Sequence, residues 1–319
     1  MTDTNTDRAA WLEERRKGIG GSDVAAVLGL NRWRTPLQLW EDKTGRAEPE
    51  PTSMAARFGT AFEEFVANEF ERRTGMKVRK HKEMIRTGED GWMIANLDRV
   101  IEGDTPGEFD AILECKTASV FKDDEWGPSQ EAEIVAGQIV TEHEIPLYYE
   151  TQVQWYLGVT GVSTAYVAVL IGNSDFRIYE VRRDDELIEA LQEKCRRFWF
   201  ECVKADTPPK PINVEDVKKL FARDDGEMRE ATNDEAAEIG ELRDLDAQIK
   251  ALEEQRKAVA SKVILAIGQN AGLTIGGKKA VTYKAQTTRR FDQRAFREAD
   301  PAAFTRFQKE TSTRVLRVS

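Results

Sequence analysis

Residues 92–117 read WMIANLDRVIEGDTPGEFDAILECKT, and the fold turns on how this stretch pairs with itself. Two apolar runs, WMIANLDRVI and FDAILECKT, are separated by EGDTPGE. Asp-Thr-Pro-Gly in that linker is turn chemistry, so the stretch predicts an antiparallel hairpin. Side chains two apart on a strand share a face. Glu114 and Lys116 therefore point one way, while Leu113 and Cys115 enter the opposite layer. Folding about residues 104–107 brings Asp98 opposite the segment from Ala111 to Glu114. Charge on an otherwise apolar ribbon is costly unless it has a partner. Asp98 and Glu114 are thus candidate ligands of one divalent cation; oxygen ligands suit Mg²⁺, with Mn²⁺ as a substitute. A buried Glu–Lys ion pair beside an unrelated aspartate accounts for the same spacing equally well.

Upstream, Asp7 is expected to cap a helix that stops at Gly18. GIGGSDVAAVLG then forms a glycine-rich turn opening a second helix at Ser22. Pro36 starts a third helix that ends before Gly45, and a longer one covers 54–73. Downstream, 118–145 reads as irregular or weakly helical. A helix from Pro146 to Leu157 is broken by Gly158 to Gly161, and STAYVAVLI and FRIYEVRR make a second hairpin about Gly172-Asn173. Asp184 caps a helix with an apolar stripe from Leu187 to Cys202. Strands interleaved with helices predict an α/β (α+β) domain, a central mixed β-sheet flanked by helices, over 1–210. A linker at 211–232 leads to a second module at 233–319. There Ile239, Leu242, Leu245, Ile249, Leu252, Val259 and Val263 form a heptad-like, coiled-coil seam on a long helix. LTIGGKKAVTYKAQ reads as a hairpin, and a short helix and a final strand, TRVLRVS, follow it.

Composition narrows the chemistry. With two histidines, His81 and His143, and neither in zinc-ligand spacing, a His-based zinc site or a Ser-His-Asp triad is disfavoured. Carboxylates, lysine and a hard cation are left. A formal charge of -10 argues against a generic nucleic-acid coat and requires any DNA-binding surface to be a local basic strip. Three cysteines with no pairing pattern, and a start (MTDTNTDRAAWLEER) with no export signal, predict reduced thiols in a cytoplasm. No apolar run is long enough for a membrane span.

Three further groups are candidates. Glu63 shares a helix face with Gly59, Val66, Ala67 and Phe70, turned toward the core, as a further ligand or as a helix-edge Glu in a salt bridge. Gln152 shares a face with Tyr148, Trp155 and Tyr156, where a structural hydrogen bond is the plainer role. Arg15 to Asp23 reads as an anion site, with glycines freeing backbone amides, Ser22 at a helix start, and Arg15 and Arg16 upstream. An ordinary N-cap after a glycine turn fits the same residues.

Together these features resemble the PD-(D/E)xK nuclease motif, and within that superfamily the chain is similar to the YqaJ viral-recombinase and λ-exonuclease family. Four blocks carry the resemblance in the family's order: RRKGIGGSD, FGTAFEE, ANLD followed by LECK, and YYETQVQWYLGVTG. Leu97 stands where the family pattern has proline before the aspartate. The resemblance implies a restriction-endonuclease-like core and a Mg²⁺-dependent phage-type deoxyribonuclease acting 5′→3′ on double-stranded DNA ends. It implies Asp98, Glu114, Lys116, Glu63 and Gln152 as catalytic residues, with Gln152 preferred over Gln154. Asp98, Glu114 and the Cys115 carbonyl would be the metal ligands. Arg15, Ser22 and Asn96 would bind the 5′-phosphate, with Arg16 as the alternative to Arg15. It further implies a bacterial host cytoplasm, a homo-oligomer and a single-strand annealing protein as partner. An endonuclease or junction resolvase on the same core, and a non-catalytic DNA-end-binding scaffold, are the rival readings. In the second module, Arg289, Arg290, Arg294, Arg306, Arg314 and Arg317 lie among phenylalanines, which suits either DNA phosphates or a solvated basic face.

Overall fold

The stretch at 92–117 contributes three strands, Met93–Ala95, Arg99–Glu102 and Phe109–Ala118, where two were expected. The first of them leaves for a small separate sheet. Met93 and Ile94 pair in parallel with Ile19 and Gly20, and Met93 to Ala95 pair antiparallel with Ile85–Thr87. Between the two sheets the chain breaks at Asn96, Leu97 and Asp98; Leu97 turns into the core. The backbone ladder of the hairpin itself begins at Arg99 opposite Leu113. One step before it, the Asp98 side chain takes over, Oδ2 accepting the Cys115 amide at 2.9 Å. The computed structural model describes residues 3–48, 51, 53–103, 108–138, 144–310 and 313–318; the expected turn at 104–107 and His143 lie outside them.

In chain order the elements of the N-terminal part are α1 (Asp3–Arg16), β1 (Ile19–Gly20), α2 (Gly21–Val27), α3 (Pro36–Lys43), α4 (Met54–Thr74), β2 (Val78–Arg79), β3 (Ile85–Thr87), β4 (Met93–Ala95), β5 (Arg99–Glu102), β6 (Phe109–Ala118), α5 (Glu131–Val135), α6 (Leu147–Thr160), β7 (Thr164–Ile171), β8 (Asp175–Arg182), α7 (Asp185–Arg197) and α8 (Val214–Leu220). The main sheet has the order β2-β5-β6-β7-β8. Only β6 and β7 run parallel in it; the other neighbours are antiparallel. A parallel pair needs a long crossover, and α5 and α6 lie on that connection. One sheet face is covered by α4, whose Val66, Ala67 and Phe70 pack with Ala111, Leu113, Ala168, Leu170 and Ile178. The other face is covered by α6, with α2 against it. This is the α/β core that the sequence predicts, a central mixed sheet flanked by helices.

Several local expectations are corrected. Asp7 lies inside α1, which begins by Asp3, so it does not cap the helix. α6 runs through Gly158 to Thr160. A Cβ at Gly158 would sit 2.8 Å from Cγ2 of Ile188, so this glycine permits close packing of α6 on α7 and does not break the helix. The 118–145 segment, by contrast, is as expected, weakly helical and irregular: a 3₁₀ turn, Val120–Glu125, and the short α5, with 139–143 outside the described residues.

The chain forms two compact units, Met1–Val217 and Lys218–Ser319. The second contains α9 (Asn233–Ile267), the hairpin of β9 (Gly272–Ile275) and β10 (Lys278–Thr282), α10 (Gln293–Ala299) and α11 (Pro301–Arg306). Thr232 and Glu235 cap α9 reciprocally, and the seam residues Leu245, Ile249, Leu252 and Val259 are exposed. Among the described residues 313–318 there is no strand, so TRVLRVS does not close a sheet there. Also among the described residues, no helix is long and apolar enough to cross a membrane.

The α4 face of β6 sets the stability of the first unit. Leu113→Ala, at a fully buried position, should cost about 2–5 kcal/mol. Phe121→Ala, at a side chain 89% exposed, should change stability by less than about 0.5 kcal/mol. Guanidinium unfolding followed by tryptophan fluorescence compares the two.

Candidate active site

The site depends on how closely α2 approaches α6. A Cβ on Gly21 would lie 2.5 Å from the Tyr156 ring and 3.0 Å from the Gln152 carbonyl, so only glycine lets the two helices meet. That contact sets the glycine-rich turn beside the end of β6. Between them opens a cleft of about 920 Å³, lined among others by Arg15, Ser22, Glu63, Asn96, Asp98, Glu114, Lys116 and Gln152. The expected catalytic, metal-ligating and phosphate-binding residues therefore border one space, including Cys115, whereas Arg16 and Gln154, the alternatives, do not line it.

At its floor Glu114 is 2% exposed. Its Oε1 receives Lys116 Nζ at 2.6 Å and Gln152 Nε2 at 2.5 Å. Gln152 closes the triangle, its Oε1 accepting from Lys116 Nζ at 3.3 Å, while its Nε2 also reaches the Tyr156 hydroxyl at 3.2 Å. Gln154 is elsewhere, donating to the Arg182 carbonyl at 2.7 Å and accepting from the Asp184 amide. Lys116 Nζ also stands 4.6 Å from the centre of the Tyr149 ring, a cation–π contact. The second oxygen of Glu114, Oε2, is buried and has no hydrogen-bond partner among the described residues.

Electrostatics follow from this crowding. Burial and then the neighbouring Glu114 carboxylate push the Asp98 carboxyl up to about 8. For Lys116, burial works against the charge, but Glu114 and Asp98 outweigh it and hold the ammonium protonated, above its ordinary range. A carboxyl held above its ordinary range at Asp98, beside a buried Glu114 with one oxygen lacking a donor, marks a site short of positive charge.

Glu63 reaches the cleft wall from α4, tied to Arg99, which donates to its Oε1. Arg99, 3% exposed, also donates to Glu64 Oε2 at 2.9 Å and to the Asp98 carbonyl at 2.6 Å. The helix-edge salt bridge is thus present, and it grips the backbone of Asp98.

At the other wall, Arg15 Nη2 donates to Ser22 Oγ at 2.5 Å, and its guanidinium lies 5.5 Å from the Trp11 ring centre. Arg16 turns instead to Glu13 and Asp42. The turn differs from expectation in two ways. α2 starts at Gly21, one residue before Ser22, and the Gly20 amide is spent on Asp23 Oδ2 at 3.0 Å. Asp23 is buried among cations. Burial would raise its carboxyl, but Lys43, Arg15 and Arg34 overcome this and hold it well below the usual carboxylate range.

Residues 10–163 match the model of the YqaJ-like viral recombinase domain. The protein YqaJ of Bacillus subtilis (strain 168) is 36% identical over 315 residues, covering 96% of this chain and 92% of that protein. The chain belongs to the YqaJ-like viral recombinase family. Among solved structures, the alkaline exonuclease LHK-Exo of Laribacter hongkongensis in complex with dAMP is 19% identical, covering 66% of this chain and 97% of that one at a TM-score of 0.46. A phage-related exonuclease of Haemophilus somnus 129PT is 12% identical, covering 60% of this chain and 96% of that one at a TM-score of 0.42.

In this member of the YqaJ-like family, sequence reasoning saw Tyr156 on the Gln152 face but missed Asp23, Arg99 and Tyr149. Asp23 carried a faint signal, a charge next to Ser22 in a run that then turns apolar; the contacts of Arg99 with Glu63 and of Tyr149 with Lys116 span tens of residues and leave no local trace.

Asp98 gives the metal-free chain a particular pH dependence. An unfolded aspartate titrates near 3.8, and the folded group near 8. The fold therefore binds this proton more tightly than the unfolded chain does. Its contribution to stability is full below the unfolded value and is lost as pH rises through about 8. In EDTA, Asp98→Asn should flatten the decline in Tm between pH 4 and 8. An unaltered slope in that variant would show that Asp98 is not the group responsible.

Proposed function

We propose that this chain is a Mg²⁺-dependent deoxyribonuclease that digests double-stranded DNA from its ends in the 5′→3′ direction. The observation that carries the reading is the trio Asp98, Glu114 and Lys116 at one cleft floor, with Glu114 Oε2 buried and unpartnered among the described residues.

The residues fit a hard cation. Asp98 and Glu114 would hold it, with the Cys115 carbonyl as a further oxygen. Mg²⁺ commonly takes one or two carboxylates and completes its shell with water and substrate phosphate. When bound, the cation supplies Lewis-acid chemistry, drawing charge from the phosphoryl oxygens. Lys116 holds its proton at Nζ and donates to the attacking water or to a phosphoryl oxygen as negative charge develops. Gln152 fixes the Glu114–Lys116 geometry by bonding both. Arg99 holds the Asp98 backbone and Glu63 together, which sets the carboxylate wall. Arg15 and Ser22 donate to the terminal 5′-phosphate, with Asn96 as a further donor from the same cleft. Holding that phosphate would set the end at which hydrolysis begins.

The family's description as a viral recombinase domain supports a place in phage or prophage recombination inside a bacterial cytoplasm. Self-assembly and transfer of the exposed strand to a single-strand annealing protein belong to the same proposal. So does the division into a nuclease domain at 1–210, a linker at 211–232 and an accessory module at 233–319.

Linear duplex with and without a 5′-phosphate, and circular duplex, each in Mg²⁺ and in EDTA, test the reading. Digestion should require Mg²⁺ and a linear end, and should be faster on the phosphorylated end. Cutting of circles would instead indicate an endonuclease, and the absence of any Mg²⁺-dependent product a non-catalytic binder. Lys116→Ala and Glu114→Ala should each slow digestion by about 10²-fold or more while sparing DNA binding.

A further inference from the structure

We infer that Asp23 is a positioning residue, holding the Arg15 guanidinium in place to receive the terminal phosphate of a DNA end. This rests on the end-directed nuclease reading above and assigns a cause to its preference for a phosphorylated end.

Asp23 lies on α2, 1% exposed, one residue beyond Ser22. Its two oxygens are divided between tasks. Oδ2 takes the buried Lys43 ammonium at 2.7 Å and the Gly20 amide at 3.0 Å. Oδ1 faces Arg15 Nη2 at 3.3 Å and Arg34 Nη1 at 3.5 Å. Lys43 Nζ also donates to the Arg15 carbonyl at 3.0 Å. The network therefore grips Arg15 at both ends, by its backbone through Lys43 and by its guanidinium through Asp23.

The distances decide what this achieves. Lys43 has the short contact and is neutralised by it, and Arg34 gives its closest contact to Asp42, at 2.6 Å. Arg15 has the longer contact to Asp23, an uncharged partner in Ser22 and the Trp11 ring. Its guanidinium is oriented without being cancelled, and its side chain stays 27% exposed at the cleft. A free arginine would have to give up several rotatable bonds on meeting a phosphate; one already held gives up less and binds more tightly. An ion pair with only a structural role would not favour one kind of DNA end over another.

The test measures digestion of linear duplex ending in 5′-phosphate or 5′-hydroxyl, in Mg²⁺, by the full chain. Asp23→Asn is the direct variant. Because it leaves the Lys43 ammonium buried without its carboxylate, the double variant Asp23→Asn/Lys43→Met is measured beside it. We expect either variant to lose about tenfold of the phosphate-to-hydroxyl rate ratio, the size of one charge-assisted bond. The loss should appear in KM for the phosphorylated end and not in kcat. Placed in an Arg15→Ala background, the Asp23 change should lower the ratio no further, since Asp23 acts through Arg15. A folded variant that keeps the wild-type ratio, or that slows both substrates equally, overturns the role of Asp23 while leaving the nuclease reading intact. Additive losses with Arg15→Ala overturn it as well. A wild-type chain that digests both ends at one rate removes the end-phosphate reading, and this inference with it.

Discussion

Two carboxylates, half-buried Asp98 and fully buried Glu114, meet where β5 joins β6, and the rest of the site is arranged around carrying their charge. Charge at such a place is costly unless it is partnered. Asp98 has the Cys115 amide, Glu114 has Lys116 and Gln152, and these donors still leave Glu114 Oε2 bare among the described residues. Breaking up a buried charge cluster is expensive, but building one seldom stabilises a fold more than apolar packing would. A core that served stability alone would place hydrocarbon there, as the α4 side of the same strand does with Ala111 and Leu113. The strand thus has a packing face and a chemical face, separated by the pleat.

The position of β6 makes this possible. As an interior strand it is held by β5 on one side and by parallel pairing with β7 on the other, over eight registered positions from Ala111 to Ala118. Such a strand cannot slip by one residue without turning Glu114 and Lys116 into the α4 core. The crossover that parallel pairing demands then supplies α6, and with it Gln152, at the chemical face. Gly21 lets α2 close on that helix, so that the turn holding Arg15 and Ser22 shares a cleft with the carboxylates. The carboxylates and the Arg15–Ser22 wall come together through one helix crossing.

Electrostatic balance within the cleft is uneven by construction. The carboxylate floor lacks positive charge, while the Arg15 wall has a guanidinium that is not fully neutralised. A phosphodiester near a terminal phosphate, with a hard cation beneath it, offers charges of the signs each wall lacks. Buried Asp23 and buried Arg99 set this pattern from behind, each anchoring a cleft residue without lining the cleft itself.

The local period of LECKT was enough to put Glu114 and Lys116 on one face and Leu113 and Cys115 on the other, because strand alternation needs only neighbouring residues. The turn chemistry of EGDTPGE similarly placed Asp98 near Glu114. Tertiary structure alone decided that Met93 to Ala95 leave the hairpin, since Ile85 to Thr87 just upstream and Ile19, far off in the chain, compete successfully for their backbone. The family resemblance already preferred Gln152 over Gln154, but the contact of Gln152 with Glu114 depends on the rotation of α6, set by its contacts with Gly21 and with Ile94, whose carbonyl takes the Trp155 indole. The arginine that claims Glu63 and the lysine that neutralises Asp23 could not be read from spacing, since ion pairs across tens of residues leave no periodic trace.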